Sequence, residues 1–213
     1  MSKNETGNSK AIDSRADDLT AAVAALRRGD VIVYPTETLY GLGTDALNPA
    51  AVEKVFHLKG RDPHNPFPVL VADREMLGVL VAEVPPLAEK LMARFWPGPL
   101  TLVLPARREI PRPLVNAAGG IGVRISSQPI AGKLLSALGR PLTATSANPS
   151  GQEPARTVAQ ARGYFSAAIE IYLDGGPLTS KSGSTVVEVV GERINILRAG
   201  EIGAAELQRA TRS

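Results

Sequence analysis

Short aliphatic runs recur along the chain, and each is too brief to be anything but a buried strand or a turn of helix. Val31-Ile32-Val33-Tyr34 stops at Pro35. Val69–Val71, Leu100–Leu104, Ile121–Ile125, Leu142–Thr145, Ile169–Leu173, Thr185–Val190 and Ile194–Leu197 repeat the pattern. Runs of this length and composition read as strands. Other segments have helical spacing. From Asp17 to Arg28 apolar residues recur at Leu19, Val23 and Leu26, and Gly29-Asp30 ends the helix. Pro49–Leu58 places Val52, Val55 and Phe56 on one face, with Pro49 near its start. Leu87–Phe95, Ile130–Leu138 and roughly Ala204–Ala210 read the same way. The order mixes βα units with adjacent strands. It predicts an α/β (α+β) fold, with a disordered lead-in over residues 1–12 and one domain over 13–213. That domain is expected to be a twisted mixed β-sheet flanked by helices.

Composition narrows the chemistry. Apolar residues make up 44% of the chain and aromatics 4%, so burial must come from aliphatic packing against a sheet. Cysteine is absent, which excludes disulfides, thiolate catalysis and Cys-based zinc sites. With His57 and His64 as the only histidines, a His-rich metal site is excluded in practice. No apolar run reaches the roughly 20 residues of a membrane span. The polar N-terminus, Ser2 to Lys10, lacks the apolar stretch of a signal peptide, so the expected location is the cytoplasm. The formal charge of +3 is mildly basic. It suits an anionic substrate but lacks the dense basic stripes of a general nucleic-acid binder.

Several polar segments stand out against this background. Pro35-Thr36-Glu37-Thr38-Leu39-Tyr40-Gly41-Leu42-Gly43 ends a strand in hydroxyls and then glycines. Alone it reads as an ordinary turn, though such a loop can approach a ligand closely. Lys59-Gly60-Arg61 follows a helix, where two cations can grip a polyphosphate or simply complement the helix dipole. Thr143 to Gly151 is an unusually long hydroxyl and amide cluster after a strand. Its Ser146 and Asn148 could bind phosphate oxygens or form a turn and N-cap. Arg124 ends an otherwise apolar strand and needs an anionic partner, either a ligand carboxylate or an Asp or Glu of the fold. Ser182-Gly183-Ser184-Thr185 and Leu197-Arg198-Ala199-Gly200 repeat the theme of hydroxyl or cation beside glycine. There is no Walker-type loop and no dinucleotide-binding glycine fingerprint.

Taken in order, these pieces resemble the YrdC/Sua5 family of threonylcarbamoyl-adenylate synthases, over about residues 18–202. The series is Pro-Thr-Glu-Thr-x-Tyr-Gly-Leu-Gly, Lys-x-Arg, Trp-Pro-Gly-Pro-Leu-Thr, Val-Arg, Ser-Ala-Asn-x-Ser-Gly, Gly-Ser-Thr-Val-Val and Leu-Arg-x-Gly. The resemblance implies a YrdC/RibB-like fold with a concave face seating ATP beside threonine. It implies that Lys59, Arg61, Ser146 and Asn148 meet the nucleotide phosphates, with Lys59 and Arg61 catalytic. Asn65 and Arg198 would be further ATP contacts. Thr36, Arg124 and Ser184 would hold threonine, Arg124 through its carboxylate. Mg2+ would come with ATP, with no protein side chain assigned to it. Two positions depart from some relatives: Leu70 stands where a His touches threonine, and Gly120 where a Thr lies near ATP. Longer relatives carry an extra C-terminal domain, and ending at Ser213 this chain resembles the short form.

The implied reaction joins L-threonine, bicarbonate and ATP into threonylcarbamoyl-AMP and pyrophosphate, for N6-threonylcarbamoyladenosine in tRNA. No protein nucleophile is required, so the lack of cysteine is no obstacle. The implied partner is a tRNA-modifying threonylcarbamoyl transferase complex. Two alternatives accompany it: a YciO-like paralogue with another acyl or carbamoyl substrate, and a module of the same fold that binds tRNA or double-stranded RNA.

Overall fold

The computed structural model describes residues 9–62, 64–180 and 182–212. Helix α1 spans Ser9–Arg27 and leads into the antiparallel pair β1 (Ile32–Pro35) and β2 (Tyr40–Gly43). Helix α2 (Pro49–Lys59) is capped by the Asn48 side chain, which accepts from Ala51 N, and ends at Gly60 in the left-handed region, φ 56°. Then follow β3 (Val69–Leu70), α3 (Arg74–Leu80), α4 (Pro86–Phe95), β4 (Leu100–Pro105) and a 3-10 turn at Arg112–Leu114. Strand β5 (Gly120–Arg124), α5 (Pro129–Leu138), β6 (Leu142–Thr143), β7 (Thr145–Ser146) and α6 (Val158–Phe165) come next. The hairpin β8 (Thr185–Val190) and β9 (Arg193–Arg198) precedes α7 (Ala204–Arg212).

The strands form two sheets. A three-stranded sheet has the order β1-β2-β7, and a six-stranded one has the order β6-β3-β5-β4-β8-β9. The larger is mixed: β3 with β5 and β4 with β8 are parallel, and its other pairs antiparallel. This is the expected mixed α/β fold of a twisted sheet flanked by helices, with corrections in detail. The run Leu142–Thr145 is two strands. Ala144 N donates to Pro68 O at 2.8 Å, and the chain passes there from the large sheet to the small one. Ile169–Leu173 is not a strand. It runs beside β1 with Val33 N to Ile171 O at 3.0 Å and Leu173 N to Val33 O at 2.9 Å, a single bridge at Tyr172. Tyr40–Gly43, read as loop, is β2. Its glycines make room for Tyr34, since a Cβ on Gly43 would sit 2.6 Å from that ring. Residues 9–12 of the expected lead-in belong to α1, and residues 1–8 lie outside the described residues.

The core is aliphatic, as the composition requires. Val33, Leu42, Val52, Val55, Leu91, Leu102 and Val123 are among the fully buried residues of the main cluster. A second cluster, with Ala25, Leu26, Ile32, Tyr34, Leu134 and Leu135, joins α1 and α5 to the sheet. Each such Leu or Ile contributes about 1.5–3 kcal/mol by leaving water. This packing sets the angle between the sheets and therefore the shape of the space between them.

Candidate functional site

A cavity of about 620 Å³ takes its lining from both sheets. Its size suits a small-molecule ligand. Arg61, Asn65, Ser146 and Arg198 line it, as do Thr36, Arg124 and Ser184. Seven of the nine side chains expected at the site, drawn from segments far apart in sequence, therefore share one hollow. Lys59 and Asn148 do not line it.

Each wall has its own local reason. After β1 the chain turns on Thr36, whose Oγ1 donates to Leu39 O at 2.7 Å and accepts from the amides of Thr38 and Leu39 at 3.2 and 3.1 Å. The Thr36 hydroxyl thus builds the turn, and its proton is committed there. Arg61 bends back on its own loop: Nε donates to Asn65 O at 2.7 Å and Nη2 to Pro66 O at 3.3 Å. Arg198 donates through Nε and Nη2 to Ser184 O at 3.2 and 2.8 Å, and through Nη2 to Ser184 Oγ at 3.0 Å. Ser184 Oγ also shares a hydrogen bond with Thr101 Oγ1 at 2.8 Å. A side chain on Gly200 would overlap the backbone of Gly183, Ser184 and Thr185, which explains the glycine two residues after Arg198.

Electrostatics give the cleft its sign. Arg61, Arg124 and Arg198 all line it, and the nearby carboxylate, Glu37, pairs with Arg124 from outside the lining. Removal from water, then Arg124, then Arg61 hold the Arg198 guanidinium below its ordinary pKa. Desolvation does the same to Arg61. Cations close enough to depress one another are unfavourable without an anion. A polyanionic ligand relieves that repulsion.

Glu37 and Ser126 went unassigned in the sequence. Glu37 takes Arg124 Nη1 on one oxygen and Ser126 Oγ on the other. The signal was the apolar strand around Arg124, which demanded a carboxylate without saying which one. The Leu70 side chain is fully buried in the core and does not reach the cavity. Gly120 does line it, and a Cβ there would meet Val103 Cγ1 at 2.7 Å, so a threonine needs Val103 to move.

A family model described as "Telomere recombination", that of the Sua5, YciO and YrdC proteins, matches residues 24–200. The chain belongs to the Sua5/YciO/YrdC family. It is 37% identical over 200 residues to the threonylcarbamoyl-AMP synthase of Pyrococcus abyssi, covering 93% of this chain and 59% of that one. It is 41% identical over 172 residues to the threonylcarbamoyl-AMP synthase of Thiobacillus denitrificans, covering 80% and 90%. The chain thus spans about three fifths of the P. abyssi relative and most of the T. denitrificans one. The crystal structure of P. abyssi Sua5 complexed with L-threonine superposes with a TM-score of 0.87 at 37% identity, over 92% of this chain and 57% of that one. E. coli YciO gives 0.79 at 28% identity, over 91% and 93%.

The family's Lys-x-Arg and Ser-x-Asn segments meet here, but not as four equal contacts. Lys59 is 2% exposed. Its Nζ donates to Ser146 O at 2.6 Å, Asn148 O at 2.7 Å and Asn148 Oδ1 at 3.4 Å. Its carbonyl accepts from Ser150 N at 2.7 Å. Asn148 Nδ2 in turn donates to Pro149 O and Gln152 O at 2.9 and 2.7 Å. In this structure Lys59 and Asn148 therefore fasten the end of α2 to the turn that presents Ser146, rather than facing the cleft as expected.

Burial first, and Arg61 second, pull the Lys59 pKa down to about 7. The unfolded chain, near the ordinary 10.5, then binds more protons than the folded one between about pH 7 and 10.5. The penalty of burying this charge is fully present below pH 7 and is relieved as pH rises toward 10.5. At pH 10, where the wild-type amine is neutral and still donates, Lys59→Met is expected to lower stability by about 2 kcal/mol, since the carbonyl acceptors lose their donor. The deficit should widen between pH 7 and 10, because the wild type alone gains stability there. Urea unfolding of both proteins at a series of pH values checks this; a deficit that narrows with rising pH would contradict the assignment.

Proposed function

We propose that this protein is a threonylcarbamoyl-AMP synthase, a nucleotidyltransferase that joins L-threonine, bicarbonate and ATP. The observation that carries this reading is the convergence of Arg61, Arg124 and Arg198 on one cavity. The names of relatives at 37% and 41% identity support it. Threonine's amine captures CO2 to give a carbamate. A carbamate oxygen attacks the α-phosphorus of ATP, the bond to the bridging oxygen breaks, and pyrophosphate leaves. The chain's own residues bind and orient. Arg61, Asn65, Ser146 and Arg198 take the nucleotide, and Arg124 and Ser184 take the amino acid, beside the turn made by Thr36. Catalysis by positioning and charge neutralisation needs no protein nucleophile.

Mg2+ would enter as a cation carried by the nucleotide. Among the described residues no group of three or more His, Cys, Asp or Glu side chains could cage a metal. As the family resemblance implies, phosphate oxygens would hold it, and it would spread the phosphate charge. Also among these residues, no helix is long and apolar enough to cross a membrane. The labile product would pass to a threonylcarbamoyl transferase complex acting on tRNA.

Purified protein with ATP and Mg2+ is expected to release pyrophosphate only when threonine and bicarbonate are both present. Release that ignores either, or none above background, overturns the reading. A YciO-like paralogue with another acyl or carbamoyl substrate is the second reading, favoured by the likeness to E. coli YciO over nearly the full length of both chains. Replacing threonine by other amino acids in the same assay separates the two.

A further inference from the structure

We infer that Glu37 is a positioning residue for recognition of the substrate carboxylate: it holds the Arg124 guanidinium by Nη1 from outside the cavity lining and leaves Nη2 for the ligand. The inference rests on the reading above and adds to it a residue that makes no contact with substrate.

The geometry distinguishes a holder from a plug. Arg124 lines the cavity, whereas Glu37 and Ser126, which bind each other, do not. A carboxylate that blocked Arg124 would lie between it and the hollow. Instead Glu37 is engaged on both oxygens, by Arg124 and by Ser126 from the segment after β5, and its side chain is 14% exposed. Its backbone belongs to the turn locked by Thr36, so it is a rigid post. Arg124 itself is 4% exposed, yet its Nε is buried with no hydrogen-bond partner. A buried unpaired donor on a charged group is costly, and native structures rarely leave one without a purpose. Arg124 Nη2 is not among the sealed donors and makes no hydrogen bond among the described residues, so it is the part of the guanidinium open to a carboxylate. The Nη1 contact to Glu37 restricts the guanidinium, so Nη2 is oriented before any ligand arrives.

The test compares threonine with threoninol, which has the amine and no carboxylate, by pyrophosphate release. In Glu37→Gln one acceptor remains, but the charge and the double anchorage are lost. We expect the threonine KM to rise about tenfold, with the ATP KM unchanged within about twofold. The preference for threonine over threoninol should fall by the same factor. In an Arg124→Lys background, Glu37→Gln should add nothing further to the threonine KM, because both changes act on one contact. Ser126→Ala keeps the ion pair and loosens only the post, and is expected to raise the threonine KM about threefold. It carries the test if Glu37→Gln fails to fold. An unchanged preference for threonine over threoninol in whichever variant folds overturns the inference, as does an equal rise in both KM values. A fall in the threonine KM would make Glu37 a plug and also overturn it. Wild-type protein with no threonine-dependent release sinks the underlying function; wild-type activity with unaltered discrimination in the variants sinks this inference alone.

Discussion

Arg61→Ala is expected to lower the rate of pyrophosphate release at saturating substrates by about a hundredfold or more. Arg61 follows Gly60, whose left-handed backbone turns the chain out of α2 toward the cleft. Two of its nitrogens bind its own loop at Asn65 O and Pro66 O. Among the described residues Nη1 has no partner, and the side chain lines the cavity. The guanidinium is therefore braced before ligand binds, and a braced cation stabilises developing charge without reorganising. Loss of the loop contacts should cost only about 1 kcal/mol, because they are neutral-acceptor bonds near the surface. Near-normal unfolding with a large fall in kcat is thus the expected pair of results. Arg61→Lys keeps a charge but not the planar fork, and should recover part of the rate. A fall of less than about threefold in Arg61→Ala, set against the roughly hundredfold of a typical charge-stabilising contact, would remove Arg61 from the phosphate site.

Arg124→Ala is expected to raise the threonine KM by about a hundredfold, equivalent to about 2.7 kcal/mol of binding, and to leave the ATP KM within a few-fold. It should also destabilise the protein by about 3–5 kcal/mol, because Glu37 is left as an unpaired, largely buried carboxylate. Arg124→Lys separates the effects. A lysine ammonium still neutralises Glu37, so most of the stability should return, while the Nη2 donor stays lost and threonine binding stays weak. Steady-state kinetics in both substrates, with urea unfolding of each variant, supply the readout. Equal effects on the two KM values would show that Arg124 shapes the cleft as a whole rather than holding the amino acid.

The legible parts of the fold were those governed by local pattern. Short aliphatic runs became β1, β3, β4, β5, β8 and β9, and apolar spacing marked α1, α2, α4, α5 and α7. Two short helices, α3 and α6, have no long apolar periodicity to mark them, although each opens on a capping residue. Asp73 accepts from Met76 N at 2.8 Å to start α3, and Thr157 from Gln160 N at 3.2 Å to start α6. Ile169–Leu173 shows the opposite error. It has strand composition, but strand identity needs a ladder, and only Val33 pairs with it. Leu142–Thr145 reads as one strand because nothing in four residues reveals that Thr143 pairs with Val69 while Thr145 pairs with Leu42.

The site divides along the same line. From the residues came the inventory: cations at Lys59, Arg61, Arg124 and Arg198, and hydroxyls at Thr36, Ser146 and Ser184, in an order characteristic of one family. Which of these face a ligand was decided by contacts across the chain. Lys59 meets carbonyls 87 and 89 residues away and is sealed behind the wall. Arg124 meets Glu37, 87 residues back. Side-chain chemistry depends on the residue alone. Whether a donor is satisfied by its own protein or left for a substrate depends on which distant backbone and carboxylate groups the packed sheets bring within about 3 Å of it, and only the tertiary structure decides that.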